Sequence, residues 1–382
     1  MYIARHIEPL IHERLFEGKI VVIYGARQVG KTTLMRRVME QYDEKRVQWL
    51  NCDDTDARKL LQDATTTKLE RAFANTDMVF IDEAQRVVDI GVSLKIAVDT
   101  MPQVQFVVSG SSSFDLANKI NEPLTGRKYE LMLYPLSWSE IVESGSVSSL
   151  ERKRLLPEWL RFGTYPDVQT HSDRAEELLR GMVQGTLYRD ILEHQTLRRA
   201  PLLERLLQAL ALQIGNEVSY GEVADTLGTN KATIERYVGL LEQSFVIFHL
   251  APFSRNLRNE LKRLRKVYFF DVGIRNALIQ AHAPLDMRTD VGALWENAMI
   301  VERMKHRQNT LQFTNHYFWR THQQQEVDYL EELGQGLSAF EFKWNAKQRC
   351  RVPKAFREGY PDASFTCITP ETYEQFVGIT EE

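Results

Sequence analysis

Residues 20–42 read IVVIYGARQVGKTTLMRRVMEQY, and this segment determines the predicted architecture of the N-terminal part of the chain. Its first five residues are apolar and mostly β-branched, which predicts a buried parallel strand. GARQVGKT at 25–32 then has the spacing GxxxxGK[ST], and Leu34, Val38 and Met39 follow with helical periodicity. Strand, glycine loop and helix in this order predict a phosphate-binding loop.

Each position of this loop has a chemical reason. Glycines let backbone N–H groups turn toward phosphate oxygens, and the helix N-terminus adds a partial positive charge. We expect Lys31 to reach the β- and γ-phosphates of ATP and Thr32 to place its hydroxyl on Mg²⁺. The residues predicted to contact the nucleotide are Gly25, Ala26, Arg27, Gln28, Val29, Gly30, Lys31, Thr32 and Thr33.

A second apolar run, DMVFIDEAQ at 77–85, supplies the carboxylates that such a loop needs. Met78 to Ile81 predicts another buried strand, with Asp82 and Glu83 at its carboxyl end, the edge where open α/β sheets bind ligands. Asp82 is expected to hold Mg²⁺ and Glu83 to orient or deprotonate the attacking water. Two solvated acids opening a turn are the alternative.

Two weaker candidates follow along the chain. QFVVSGSSS at 105–113 ends in serines, of which Ser111 is a candidate contact to the γ-phosphate; a turn that caps the next helix explains it equally well. Arg127 lies in a short glycine-containing turn. It is either a catalytic finger directed at a neighbouring subunit's phosphate or an ordinary surface arginine.

The chain resembles a large group of AAA-type ATPases of bacteria and archaea. The motifs that carry the resemblance are GARQVGKT, FIDEAQ, SGSSS, TGR at 125–127, YPLSWSE at 134–140, FGTYPDV at 162–168, YFFDVGIRNAL at 268–278, LWEN at 294–297, EVD at 326–328 and EFKW at 341–344. The resemblance covers almost the whole chain. It implies an ATPase domain, a winged helix and a restriction-endonuclease-like domain, assembled as a homo-oligomer such as a hexameric ring.

The middle of the chain has the pattern of a helix-turn-helix. Three apolar-periodic segments predict helices near 202–215, 221–227 and 231–244, with Asn230 as N-cap of the third, and FVIFHLAPF at 245–253 predicts wing strands. The third helix would present Lys231, Thr233, Glu235 and Arg236 outward. Packing against protein is the alternative to DNA binding for such a module.

A basic run follows the predicted wing, and it suits contact with a phosphate backbone. A solvated charged face is the alternative interpretation. The run contains Arg255, Arg258, Lys262, Arg263, Arg265 and Lys266.

The C-terminal third carries a second chemical pattern. Asp328 on a predicted hairpin, with Glu341 and Lys343 on the next strand, forms D…ExK, and Glu296 on a preceding helix is a further candidate metal ligand. Two carboxylates can hold Mg²⁺ while a lysine steadies hydroxide or phosphate. The pattern resembles the PD-(D/E)xK nuclease core. A domain that keeps this fold and only binds DNA or protein is the alternative.

Length predicts two or three domains and composition an ordinary soluble globular protein, while the strand–loop–helix motifs predict an α/β fold. The chain has 382 residues and a formal net charge of −4, so DNA binding requires a local basic surface. Three cysteines without a CxxC pair predict a reduced cytoplasmic protein, and we expect no membrane segment. The predicted domains are 1–145 (ATPase core), 146–200 (helical lid), 201–275 (winged helix) and 276–382 (endonuclease-like).

Three functions remain open from the sequence. The first is an ATPase that remodels or translocates DNA, with branched DNA as one candidate substrate. The second is a nucleotide-dependent switch for a protein partner. The third is an ATP-gated, Mg²⁺-dependent DNA endonuclease.

Overall fold

The computed structural model describes residues 2–110, 124–187, 200–253, 265–321, 323–334 and 336–380. These residues form two compact units. The first contains 2–135 together with 243–245, and the second contains 136–242 together with the described residues from 246 onward.

The described part of the first unit alternates strands and helices. Its elements are α1 (Glu8–Arg14), β1 (Ile20–Tyr24), α2 (Lys31–Glu40), β2 (Val47–Asn51), α3 (Thr55–Leu61), α4 (Thr66–Phe73), β3 (Met78–Asp82), α5 (Ile90–Thr100), β4 (Gln105–Gly110) and β5 (Lys128–Met132). A 3₁₀ turn, Ala84–Arg86, separates β3 from α5.

The five strands of this unit form one sheet in the order β2-β3-β4-β1-β5, and every neighbouring pair is parallel. The predicted α/β fold with a parallel sheet is therefore confirmed. Every residue of the inner strands β1, β3 and β4 is buried, whereas the edge strands β2 and β5 are partly exposed. Continuous apolar runs are what strands covered on both faces require.

The second unit is larger and mixes helices with a second sheet. Its helices are α6 (Trp138–Gly145), α7 (Ser149–Phe162), α8 (Pro166–Thr170), α9 (Ala175–Gly181), α10 (Ala200–Leu212), α11 (Tyr220–Leu227), α12 (Lys231–Gln243), α13 (Val272–Leu278), α14 (Val291–Asn309), α15 (Lys354–Gly359) and α16 (Tyr373–Phe376). Its strands are β6 (Glu217–Val218), β7 (Ile247–Pro252), β8 (Arg265–Phe269), β9 (Asn315–Arg320), β10 (Glu326–Leu333), β11 (Gly336–Phe342) and β12 (Ser364–Ile368). Met182–Leu187 is a π-helical turn.

The second sheet has seven strands in the order β12-β11-β10-β9-β7-β8-β6. Strands β6, β7 and β8 pair antiparallel, and β9, β10 and β11 form an antiparallel meander. The two halves meet where β7 runs parallel to β9, through the pairs Ala251–Tyr317 and Pro252–Phe318. The sheet therefore continues across the domain boundary that the sequence predicts after residue 275.

Two of the motifs that carry the family resemblance contact each other within the second unit. Asp271 is buried and caps α13; its carboxylate accepts hydrogen bonds from the Thr164 N–H at 2.7 Å and the Ile274 N–H at 3.0 Å. A Cβ at Gly163 would lie 2.1 Å from Asp271 Oδ1, and one at Gly273 would lie 2.1 Å from the Phe162 carbonyl oxygen. The segments FGTYPDV and YFFDVGIRNAL therefore pack directly against each other.

The motifs YPLSWSE and LWEN enter the same core. Trp138 packs against Trp159 and Trp295, with ring centroids 5.3 and 6.4 Å apart, and its backbone N–H donates to buried Glu302 at 2.7 Å. Lys305 donates to Glu302 Oε1 at 2.6 Å and to the Leu136 carbonyl at 2.8 Å. These residues have a structural role in the second unit.

The prediction that the cysteines are reduced is wrong for one pair. Cys350 and Cys367 form a disulfide with Cα atoms 6.0 Å apart, because the segment after β11 returns beside β12. Cys52 is free and buried, and burial raises the pKa of its thiol to about 12. Among the described residues, no helix has the length and apolar character that crossing a membrane requires.

Candidate functional site

The predicted phosphate-binding loop lies between β1 and α2, at the carboxyl edge of the parallel sheet. Gln28 has φ 63° and Gly30 has φ 96°, a left-handed turn that brings the chain round to the helix start at Lys31. Gly25 is enclosed by the neighbouring chain, since a Cβ there would lie 2.2 Å from the Leu133 carbonyl oxygen. Glycine is thus favoured at position 30 by the left-handed backbone and at position 25 by the lack of space for a side chain.

Lys31 is buried and folded back into the loop. Its ammonium donates to the carbonyl oxygens of Gly25 at 2.9 Å and Ala26 at 2.8 Å. Backbone carbonyls are weaker partners for an ammonium than phosphate oxygens. The Lys31 ammonium therefore lies close to the position that a nucleotide phosphate would occupy.

The residues predicted to bind Mg²⁺ are in direct contact. Thr32 Oγ1 donates to Asp82 Oδ2 at 2.8 Å, and Ser109 Oγ donates to Asp82 Oδ1. Asp82 and Ser109 are both buried. Hydroxyl and carboxylate oxygens are the hard donors that Mg²⁺ prefers, so this pair fits a metal that would complete its shell with phosphate and water.

Glu83 occupies a special backbone position directly after β3. It has φ 55° and ψ 40°, and its N–H donates to Ser109 Oγ at 3.3 Å. Left-handed geometry is uncommon for a residue other than glycine and concentrates at functional sites. Gln85, two residues later, donates its side-chain amide to the Glu83 carboxylate. The quoted motif FIDEAQ contains Gln85, but sequence reasoning gave it no role.

Arg5 is a second residue that sequence reasoning missed. Its buried guanidinium donates to the Val29 carbonyl at 2.9 Å and to the Tyr134 carbonyl at 2.7 Å. It ties the phosphate-binding loop to the chain that leaves β5. Because both partners are backbone atoms, the sequence carried no signal for this contact.

Arg127 lies at the opposite end of the sheet from the loop. The Arg127 carbonyl accepts from the N–H of Ile20, the first residue of β1, at 2.9 Å, whereas the loop follows Tyr24. Four strand steps of about 3.3 Å separate the two ends by about 13 Å. The Arg127 side chain pairs with Asp99 at 2.6 Å, and both are partly exposed. Any contact of Arg127 with a nucleotide would therefore involve another subunit's site.

Some of the predicted nucleotide and DNA contacts fall outside the described residues. Ser111 lies outside the described residues, as do Arg255, Arg258, Lys262 and Arg263 of the basic run. Lys266 is described, and the prediction of a solvent-facing DNA contact is wrong for it: its side chain is 2% exposed. The cause is that β8 directs Lys266 into the second sheet's own acidic cluster.

The predicted third helix of the middle region is confirmed as α12. Asn230 Oδ1 accepts from the Thr233 N–H at 2.9 Å, and Ile234, Val238 and Leu241 are buried. On the outer face Lys231 forms an ion pair with Glu235 at 3.3 Å. Arg236 is exposed beside Tyr237, so the described part of this face carries mixed charge.

The C-terminal carboxylates and lysines do come together. We call them the acidic cluster: Lys266, Tyr268, Glu296, Glu326, Asp328, Glu341 and Lys343. Lys343 Nζ donates to Glu341 at 2.6 Å, and the Phe342 N–H donates to Asp328 at 2.9 Å. Lys343 lies just past the end of β11, although the sequence predicts it within the strand.

Burial governs the electrostatics of this cluster. It raises the pKa of Glu296 to about 7, with Asp328 adding to the rise and Lys266 opposing it. Burial also raises the pKa of Asp328 and of Glu341. The Lys266 ammonium keeps a raised pKa, because attraction to Glu296 and Glu326 outweighs the effect of burial. Lys266 therefore stays charged inside the protein.

The acidic cluster does not have the geometry of a metal site. Within the described ranges, no three His, Cys, Asp or Glu side chains converge as ligands of one ion. The predicted ligands Glu296, Asp328 and Glu341 form no such group, and the Lys266 ammonium interacts with two of them, Glu296 and Asp328. With the Lys266 ammonium beside these carboxylates, the present arrangement does not fit Mg²⁺.

Family models match three successive regions of the chain. A model described as an AAA domain matches residues 17–142, and two models described as domains of unknown function, DUF8612 and DUF4143, match residues 153–285 and 291–377. Together with the sheet and the loop geometry, the first match defines an AAA-type P-loop ATPase domain.

Relatives extend this likeness over most of the chain. The uncharacterized protein Rv2008c of Mycobacterium tuberculosis is 30% identical over 338 residues, which cover 87% of this chain and 72% of that protein. The chain belongs to the same family as this mycobacterial protein. The uncharacterized protein MJ1544 of Methanocaldococcus jannaschii is 25% identical over 379 residues, covering 94% of this chain and 82% of that protein.

A solved structure shares the fold. The Walker-type ATPase PABY2304 of Pyrococcus abyssi superposes with a TM-score of 0.52 and 17% identity, over 73% of this chain and 96% of that chain. At this identity the likeness supports the fold and leaves the activity to be argued from the site.

Proposed function

We propose that this protein hydrolyses ATP at the loop 25–32 and uses the energy to act on DNA as a homo-oligomer. One observation carries the proposal: Thr32 donates to Asp82 at 2.8 Å, and the Lys31 ammonium lies 2.9 Å from the Gly25 carbonyl oxygen, so a metal-binding pair and a cation meet at one sheet edge. Glu83 completes the set from the next position along the chain.

Hydrolysis assigns a role to each of these groups. The backbone N–H groups of the loop and the Lys31 ammonium bind the β- and γ-phosphates, with Thr32 and Asp82 holding Mg²⁺. Bound Mg²⁺ supplies neutralisation of the phosphate charge. The water oxygen forms a bond to the γ-phosphorus, the bond from that phosphorus to the ADP oxygen breaks, and Glu83 accepts the water's proton.

Assembly into an oligomer would give Arg127 a role in hydrolysis. Because Arg127 lies about 13 Å from its own loop along β1, it can contribute to hydrolysis only in a neighbouring subunit. Its ion pair with Asp99 would have to open first. Positive charge on the transferring phosphoryl group is the contribution expected from such a finger.

The order of elements in the middle region supports a DNA-binding module. Helix α10, strand β6, helices α11 and α12 and strands β7 and β8 follow one another as in a winged helix-turn-helix. Lys231 and Arg236 lie on the exposed face of α12, and the basic run begins directly after β7. Phosphate contacts from such residues would give binding that weakens with salt.

The test is ATP turnover against single-stranded, duplex and branched DNA. We expect DNA to stimulate the wild type, and Lys31→Ala to abolish turnover with and without DNA. A Lys262→Glu/Arg263→Glu variant should lose stimulation and keep basal turnover. Lys153→Glu/Arg154→Glu on α7 is the matched control, since both residues are exposed and the charge change is the same. Equal stimulation of the wild type, the Lys262→Glu/Arg263→Glu variant and the Lys153→Glu/Arg154→Glu control would contradict DNA binding through the basic run.

A nucleotide-dependent switch for a protein partner is the second candidate. The mixed charge of the α12 face, where Lys231 is paired with Glu235, favours it. An assembled, active ATPase whose turnover no DNA changes would support this function and contradict the first.

A further inference from the structure

We infer that Lys266 is the resident cation of the acidic cluster, so that the nuclease-like domain uses an internal ammonium in the place where a divalent metal would bind. The D…ExK pattern predicts Mg²⁺, whereas the described residues contain no group of three or more His, Cys, Asp or Glu side chains that could hold a metal ion.

The position of Lys266 carries the inference. Its Nζ lies 3.2 Å from Glu296 Oε1 and forms an ion pair with Glu326, while Asp328 adds further negative potential. The side chain is 2% exposed, and the ammonium lies 5.6 Å from the centre of the Phe318 ring. A buried charge is stable only when it is paired in this way.

The other carboxylates are also satisfied from within. Glu296 accepts from the Tyr268 hydroxyl at 2.5 Å, and Glu326 lies 3.6 Å from Arg320. Glu341 accepts a hydrogen bond from Lys343, and Asp328 accepts one from the backbone N–H of Phe342. A metal would have to displace these donors, and the Lys266 ammonium in particular, before it could gather the oxygens.

The strand order indicates that Lys266 also connects the two halves of the second sheet. Lys266 comes from β8 and Glu326 from β10, and β7 and β9 lie between them in the sheet. Among the described residues, the halves of the sheet are joined by the two β7–β9 residue pairs and by the bond from the Phe253 N–H to the Phe318 carbonyl. The Lys266–Glu326 contact therefore joins strands that do not hydrogen-bond to each other, and it fastens the helix-turn-helix module to the nuclease-like meander.

The test is Mn²⁺ binding to the nucleotide-free full-length protein, measured by electron paramagnetic resonance. Wild type and Asp328→Asn should bind the same amount of Mn²⁺. Lys266→Met removes the ammonium while nearly keeping the side chain's shape, and it should gain one Mn²⁺ per chain. Adding Asp328→Asn to Lys266→Met should remove that gain.

Lys343→Met is the matched control, because Lys343 belongs to the same cluster but pairs with Glu341 at its more exposed side. It should gain no Mn²⁺, and a gain equal to that of Lys266→Met would overturn the assignment to Lys266. A folded Lys266→Met variant that binds no more Mn²⁺ than wild type would also overturn it.

The comparison of wild type with Asp328→Asn decides the matter even if Lys266→Met does not fold. Equal Mn²⁺ binding and equal Mn²⁺ effects on Tm support the inference. A loss of Mn²⁺ binding in Asp328→Asn means that a metal already competes with Lys266 in the native protein, and the inference fails. None of these outcomes depends on ATP hydrolysis or DNA stimulation.

Discussion

The amide of Gln85 donates a hydrogen bond to the carboxylate of Glu83, and so holds the proposed base from two residues away. Glu83 has a left-handed backbone, so its side chain leaves the strand in an unusual direction and needs external support. We expect Gln85→Leu to lower kcat for ATP about tenfold with KM unchanged, since misplacing a base by an ångström is costly. Steady-state kinetics beside Glu83→Gln, which should lose roughly 100-fold or more, measure this. A higher kcat would mean instead that the bond restrains Glu83.

Arg5 supports the phosphate-binding loop through two backbone carbonyls. Arg5→Met leaves the Val29 and Tyr134 oxygens without this donor, so we expect a loss of about 1–3 kcal/mol in the free energy of unfolding and a higher KM for ATP. Arg37→Met is the control, because its ion pair with Glu40 is exposed and should contribute under about 1 kcal/mol. Urea unfolding with and without nucleotide measures both. Equal losses for the two variants would argue against a special role for Arg5.

Arg127 is tested by mixing subunits. Arg127→Ala should keep ATP binding and lose roughly 100-fold or more in kcat. Mixing it with Lys31→Ala should restore activity, because an intact loop of one subunit then meets an intact arginine of another. Asp99→Ala breaks the Arg127–Asp99 pair but keeps the arginine, so it should retain turnover. Mixtures no more active than their components would remove the shared-site hypothesis.

Glu296 predicts a pH dependence of stability. Its pKa rises from 4.5 in the unfolded chain to about 7 in the folded protein, so the folded state binds the proton more tightly. The stabilisation is fully present below pH 4.5 and is lost as the pH rises through about 7. We expect wild-type stability to fall by up to about 1.4 kcal/mol per pH unit across this window and Glu296→Gln to fall less. Parallel profiles from denaturant unfolding at several pH values would contradict the assignment.

The sequence was informative wherever one local pattern decides the structure. Strand β1, the loop at 25–32 and α2 follow from periodicity and glycine spacing, and Asp82 follows from its place at a strand end. Asn230 as a helix cap was likewise a local signal, and its bond to Thr233 confirms it.

The sequence did not predict the electrostatic contacts and the disulfide that join distant segments of the chain. Arg5 acts on carbonyl groups, which have no sequence signature, and Lys266 looked like one more member of a basic run. The carboxylates that enclose Lys266 lie 30 residues away at Glu296 and farther along at Glu326. The disulfide between Cys350 and Cys367 depended in the same way on β11 and β12 being neighbours.

The shared strand β7 also decides how the protein can be dissected. The matches to the two regions of unknown function end at residue 285 and begin at residue 291, which invites expression of the last region alone. Such a fragment would begin beyond β7 and β8, exposing an edge of β9 and leaving Glu296 and Glu326 without Lys266. Uncovered strand edges recruit other strands, so we expect that fragment to aggregate. A fragment that begins at Leu136 keeps the whole sheet and is the better choice for expression.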